Sequence, residues 1–153
     1  MTIQDQVIAS LTCWREARGG RPQPDAMQAV MNVICNRSAK TGESPYTVCT
    51  THEQFTSINP PSNETVAQTE TGLWPIEADP QWVMALSLAS QAAAGTLADL
   101  TNGSTLYYAP YSIHTTATFT LPNGTVVPFP EGWNASVVTY EAAIGGQLFF
   151  FEK

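Results

Sequence analysis

Charge is the scarcest ingredient of this sequence. Asp, Glu, Lys and Arg make up 12% of its 153 residues, with 6 basic side chains against 13 acidic ones. The net charge of -7 leaves no basic field to attract nucleic acid or an anionic membrane surface, so neither is expected as a partner. Cysteine is sparse as well. Three cysteines, an odd number, do not make a disulfide framework. Cys13 and Cys35 fall inside apolar helical patterns, where free buried thiols are expected. The two histidines, His52 and His114, lack metal-ligand spacing, and neither a metal nor another cofactor is expected. No apolar run is long enough to cross a bilayer, so no membrane insertion is expected. The opening Met1-Thr2-Ile3-Gln4-Asp5 has neither the basic start nor the apolar stretch of a secretory signal, and synthesis in the cytoplasm is the expectation.

What is present is enough apolar material for a core. Hydrophobic residues are 43% of the chain, which excludes a disordered acidic polymer. The length suits one domain over residues 1–153, expected to be monomeric. Most of the polar surface must come from Thr, Asn, Ser and Gln. Such groups suit a neutral ligand rich in hydroxyls and amides, such as a sugar, but they suit any soluble surface too.

Helical signals come first along the chain. Thr2 with Asp5 three residues on is a capping-box start, followed by Ile3, Val7, Ile8, Leu11 and Trp14 at helical spacing. Gly19-Gly20 is expected to end this helix. A second helix should begin at residues 22–25 and reach about residue 37, with Ala26, Val30, Val33 and Ile34 as its stripe and Ala29 and Met31 widening it. Residues 45–51 predict one short helical turn. Residues 59–78 read as irregular, with a short helix near 63–69. Asp79 as N-cap, Pro80 at the first helical position and Gly95 at the end define another helix, its expected face being Trp82, Ala85, Leu86, Ala89 and Ala93. Strand signals follow: 105–109, a hairpin over 119–129 about Asn123-Gly124, then 136–140 and 147–151. The pattern is α+β, mainly helical with a small strand-rich C-terminal part.

The most informative residue is Glu16, in the last turn of the first helix. A helix C-terminus carries partial negative charge, so a carboxylate there breaks a local rule and its proton-bearing form is favoured. A general acid needs that environment. The alternative is a surface pair with Arg15 or Arg18, although side chains one or two apart on a helix do not face each other well.

Glu16-Ala17-Arg18-Gly19 resembles the Glu-Ala-Arg-Gly signature of the SleB-type cell wall hydrolases. The likeness continues in order. The stretch Met27-Gln28-Ala29-Val30-Met31-Asn32-Val33-Ile34-Cys35-Asn36-Arg37 is similar to that family's second helix, with its closing Asn-Arg. Gln54-Phe55-Thr56-Ser57, then Asp99 through Tyr107-Tyr108, then Ile144-Gly145 with Phe149-Phe150, resemble further family segments. Leu100 and Gln147 stand where the family has proline and histidine, and the stretches 60–75 and 119–129 have no clear counterpart.

The resemblance implies a lysozyme-like fold, peptidoglycan glycan strands as substrate, and Glu16 as the catalytic carboxylate. Glu53, Glu64, Glu70, Glu77 and Asp79 form no paired motif with it, so a single-glutamate lytic transglycosylase is expected, with a hydrolytic muramidase or glucosaminidase as the alternative. Gln54, Phe55, Ser57, Trp74, Tyr107 and Tyr108 are the expected substrate-binding residues. Gln54 offers an amide to an N-acetyl group, the tyrosines offer ring faces and hydroxyls, and Trp74 offers a stacking platform; Phe55 also fits a core position. Two other classes stay open: a Cys-His peptidase using Cys49 with His52 or His114, and a non-catalytic wall-binding protein. The setting expected is a phage lysin acting on the bacterial wall after release from the cytoplasm, with an exported wall-remodelling enzyme as the alternative.

Overall fold

The computed structural model describes residues 1–17, 23–51, 54–59 and 72–153. Helix α1 spans Ile3–Glu16. Its capping box forms: the Thr2 hydroxyl accepts from the Asp5 N–H at 3.1 Å, and Asp5 accepts from the Thr2 N–H at 2.7 Å. The second Asp5 oxygen accepts from the Tyr46 N–H at 3.0 Å, which ties α1 to the short helix α3, Pro45–Thr50.

The buried side of α1 differs from the expected one. Ile3 and Val7 are exposed, while Ala9, Ser10, Thr12 and Cys13 are fully buried. Small side chains let three neighbouring helices approach the middle of α1 closely. Its hydroxyls return to the backbone, Ser10 to Gln6 O at 2.7 Å and Thr12 to Ile8 O at 2.8 Å, so burying them leaves no bond unmade.

Helix α2, Pro24–Thr41, is the central element, and the whole expected stripe from Ala26 to Ile34 is buried. It runs past Arg37 because nothing breaks it before Gly42, whose φ of 74° makes the left-handed cap. Helix α4, Pro80–Ala94, is capped by Asp79 and closed by Gly95 as its sequence predicts. Its buried residues are Ala85, Leu88 and Ala89, while Leu86 turns outward. The expected helix near 63–69 and the stop at Gly19-Gly20 lie outside the described residues. No helix among the described residues is long and apolar enough to cross a membrane.

The C-terminal part holds an antiparallel sheet in the order β1-β5-β4, made of β1 (Leu106–Tyr108), β4 (Val138–Ile144) and β5 (Gln147–Glu152). A separate hairpin pairs β2 (Thr118–Thr120) with β3 (Val126–Pro128) about Gly124, where φ is 84°. Strand alternation divides the main sheet between two cores. Tyr107 and Phe149 face the helices, whereas Tyr108, Leu148 and Phe150 face the hairpin and join Phe119, Phe129 and Trp133. A bulge between Tyr140 and Ala142 changes which side β4 presents. Val138 and Tyr140 join the hairpin core, and Ala142 and Ile144 join the helical one.

The β4–β5 turn is Gly145-Gly146, both with positive φ, as a two-residue hairpin loop requires. A Cβ on Gly145 would collide with Ala26 and with Gln23 Oε1, so this turn sits against the first turn of α2. The whole is an α+β arrangement with helices first and strands last.

Candidate active site

Glu16 ends α1, half-buried, at the junction of the helical core and the sheet. Two groups from distant parts of the chain reach its carboxylate. The Tyr107 hydroxyl donates to Oε2 at 2.7 Å. The Ser57 N–H donates to Oε1 at 3.3 Å. Each donor is fixed by its own packing. The Tyr107 ring stacks on Phe149, with centroids 5.6 Å apart and planes at 22°, and leans on Phe55 at 6.4 Å. Ser57 lies in a tight turn in which the Ile58 and Asn59 N–H groups both donate to Phe55 O, and Phe55 itself is buried in the core. Burial pushes the Tyr107 phenol well above its ordinary range; the Glu16 charge and the hydrogen bond to it add to this, and Arg37 opposes it. Tyr107 therefore stays protonated and acts as a donor at any working pH.

Arg15, beside Glu16, builds the wall of the site. Its guanidinium donates to Ser57 O at 3.0 Å and to Leu73 O at 2.9 Å, and it lies 5.3 Å from the centroid of the Trp74 ring. It thus connects the turn carrying Ser57 with the segment carrying Trp74. Trp74 is 71% exposed and offers an apolar surface open to solvent. Arg15 entered the sequence reading only as a surface partner of Glu16. The missed signal is its position four residues after Leu11, on the buried side of α1.

The structure brings Glu16, Ser57 and Tyr107 into direct contact and places Trp74 one residue beyond the Leu73 carbonyl. Gln54 is exposed three residues from Ser57, on the rim of a cavity of about 390 Å³ that Arg37, Lys40, Thr105, Leu106 and Glu152 also line. Lys40 and Glu152 form an ion pair there at 3.1 Å. Phe55, at 1% exposure, packs as core. Ser57 is equally buried, and its Oγ has no hydrogen-bond partner among the described residues. Tyr108 differs from its expected place. It is buried in the aromatic core on the other side of the sheet, its hydroxyl donating to Pro128 O at 2.7 Å, because adjacent residues on a strand face opposite ways.

The other carboxylates are placed as follows. Asp79 is engaged twice, by the Gln81 N–H at 2.8 Å and by the Trp14 indole at 2.7 Å. Glu77 is exposed, and Glu53, Glu64 and Glu70 lie outside the described residues. Cys49 is fully buried, and its thiol is pushed up to about 12, first by burial; a hydrogen bond with Thr12 and the charge of Arg37 pull the other way. His114 is exposed on a loop, and His52 lies outside the described residues. Among the described residues no three His, Cys, Asp or Glu side chains gather as metal ligands do.

Neither curated proteins nor solved structures yield a match to this chain. A family model described as cell wall hydrolase does, over residues 22–128. That span opens after α1 and reaches through the turn of Ser57, Trp74 and strand β1 to the end of β3. It covers more than two-thirds of the sequence, and the chain belongs to the cell wall hydrolase family.

Proposed function

We propose that this member of the family cleaves the glycan strand of peptidoglycan at the bond from N-acetylmuramic acid to N-acetylglucosamine, as a SleB-type lytic transglycosylase. The observation that carries this is Glu16, a half-buried carboxylate held on both oxygens by donors from separate segments. A carboxylate so oriented can give up a proton in one step and take one back in the next.

Protonated Glu16 donates to the glycosidic oxygen, and the bond from C1 of the muramic residue to that oxygen breaks. The leaving glucosamine departs with its 4-hydroxyl restored. The positive charge left at C1 is shared with the oxygen of the substrate's own acetamido group, which fills the role of a second carboxylate. Glu16, now ionised, removes the proton from the muramic 6-hydroxyl as that oxygen bonds to C1. The product is a 1,6-anhydro ring, and Glu16 ends protonated, as it began. Tyr107 and the Ser57 N–H hold the carboxylate's direction through both transfers. Trp74 offers an exposed ring for a pyranose face, and Gln54 an amide for an N-acetyl group.

The burial of Cys49 supports this reading over a cysteine peptidase, because a thiol pushed up to about 12 supplies almost no thiolate near neutrality.

The test is product analysis of purified peptidoglycan by mass spectrometry. Anhydro-muramic ends are expected. Reducing muramic or glucosamine ends would mean that water takes the place of the 6-hydroxyl. Free peptides with intact glycan would overturn the assignment. Glu16→Gln should fold as the parent does and release no product.

A further inference from the structure

The Asn36-Arg37 pair, which the sequence singled out, has no part in the chemistry above. Arg37 leaves the fourth turn of α2 and is half-buried. Its Nε donates to Thr105 O at 2.6 Å, and its Nη1 to Gln54 O at 3.1 Å. The guanidinium also lies 4.8 Å from the centroid of the Phe55 ring. Among the described residues no carboxylate approaches it as an ion pair; the ion pair found there is Lys40 with Glu152. A guanidinium drawn partly out of water without a carboxylate partner is costly, and burial lowers its proton affinity, an effect that the nearby Glu16 charge opposes.

The two accepting carbonyls explain what Arg37 does there. Gln54 is three residues before Ser57, and Thr105 is two before Tyr107. One rigid fork therefore joins the turn that supplies one donor to the strand that supplies the other. Asn36 works beside it, donating to Asp99 Oδ2 at 3.2 Å, Thr101 Oγ1 at 3.3 Å and Ser104 O at 3.1 Å, which fixes the loop leading into β1.

We propose that Arg37 is a positioning residue for Glu16: by clamping the 54–57 turn to β1, it brings the Ser57 N–H and the Tyr107 hydroxyl onto the same carboxylate. Lysine cannot replace it, since a single ammonium lacks the planar fork that meets two carbonyls at set angles. The inference rests on the assignment of Glu16, but its first test needs no substrate and so stands apart from the nature of the bond cleaved.

That test is the amide signal of Ser57 in nuclear magnetic resonance. Glu16→Gln should move it strongly in the parent background, because an amide replaces the carboxyl group that accepts from it. In Arg37→Lys, the same substitution should move it by less than about half as much, since the hydrogen bond is no longer held in register. In a folded Arg37→Lys, kcat on peptidoglycan should fall roughly 10- to 100-fold with KM changed less than about 3-fold, because orientation is lost and not binding. A Ser57 signal that responds fully to Glu16→Gln in the lysine variant, or a parental kcat, would overturn the proposal. Should the lysine variant not fold, Arg37→Gln takes the same comparison. The unaltered protein gives a further check. The Arg37 Nε–H should exchange at least about ten times more slowly than in free arginine, and exchange at the free rate would show that the clamp is absent.

Discussion

Replacing Tyr107 by phenylalanine takes one oxygen out of the site and little else. The hydroxyl donates to Glu16 at 2.7 Å, while the ring contacts with Phe149 and Phe55 are ones that phenylalanine keeps. A hydrogen bond to a charged acceptor contributes roughly 1.5–3 kcal/mol. Two effects shrink what appears as stability. Glu16 is half-exposed, so water fills the vacated lone pair, and the variant no longer has to bury a phenol oxygen. The net loss should be about 1 kcal/mol or less, some 2–4 °C in the melting midpoint for a chain of this size. Turnover should respond differently, because a replacing water does not fix the direction of the carboxylate. If the bond is used in full at the transition state, losing 1.5–3 kcal/mol lowers kcat roughly 10- to 100-fold. Initial rates on peptidoglycan at saturating substrate, paired with thermal melting by circular dichroism, separate the two quantities. A variant that melts like the parent and turns over within about two-fold of it would refute the orienting role of the hydroxyl. A fall in midpoint beyond about 8 °C would refute the burial argument.

Other outcomes follow from the same geometry. Gly145→Ala should destabilise by about 2–4 kcal/mol in denaturant unfolding, since its φ of 59° strains an L-residue and its Cβ meets Ala26 and Gln23; Gly146→Ala, with Tyr111 3.6 Å away, should cost about 1 kcal/mol. Cys13 and Cys49 should resist a thiol reagent in the native protein and react only on unfolding, because burial raises both thiols, whereas half-buried Cys35 should react slowly. Burial raises the Asp5 and Asp99 carboxyls, but hydrogen bonds outweigh it and hold both below the ordinary 3.8. Their stabilisation is therefore present above that value and lost as pH falls through the lowered values, so the melting midpoint should drop below about pH 4, less steeply in Asp99→Asn. Salt should change activity only modestly and slightly upward, because a chain of net charge -7 meets an envelope that is also anionic.

The sequence reveals the elements best where local chemistry decides. The Thr2 box, the Asp79 cap with Pro80, and the closing Gly95 each act within a few residues, and the structure places those ends as expected. It reveals less where a neighbour decides. Ile3, Val7 and Leu86 fit an apolar period, yet they face outward because the small residues of α1 set how closely the other helices come. Strand β4 extends beyond the expected 136–140 to Ile144 because Gly145-Gly146 make a hairpin loop. At the site, Glu16 was legible because a carboxylate at a helix C-terminus opposes the dipole. Tyr107 and Tyr108 could be separated by face but not assigned to one, since alternation gives no sign of which core lies on which side. The distances from Glu16 to Ser57 and from Arg37 to Thr105 join residues 41 to 68 positions apart, which no local pattern encodes.

Because Tyr107 and Tyr108 are neighbours that lock into different cores, β1 is a joint between two bodies of packing, and the Glu16 contact spans it. A joint fails before the parts it connects. Opening of the aromatic end would free β1 and release the Tyr107 hydroxyl from the carboxylate while the described helices still held together. Heat should therefore silence the enzyme before it unfolds the helices. Residual activity would then measure the health of the seam, and circular dichroism at helical wavelengths would miss the first loss. Stabilising the hairpin core, on the other side of the sheet from Tyr107, should raise the temperature at which activity is lost.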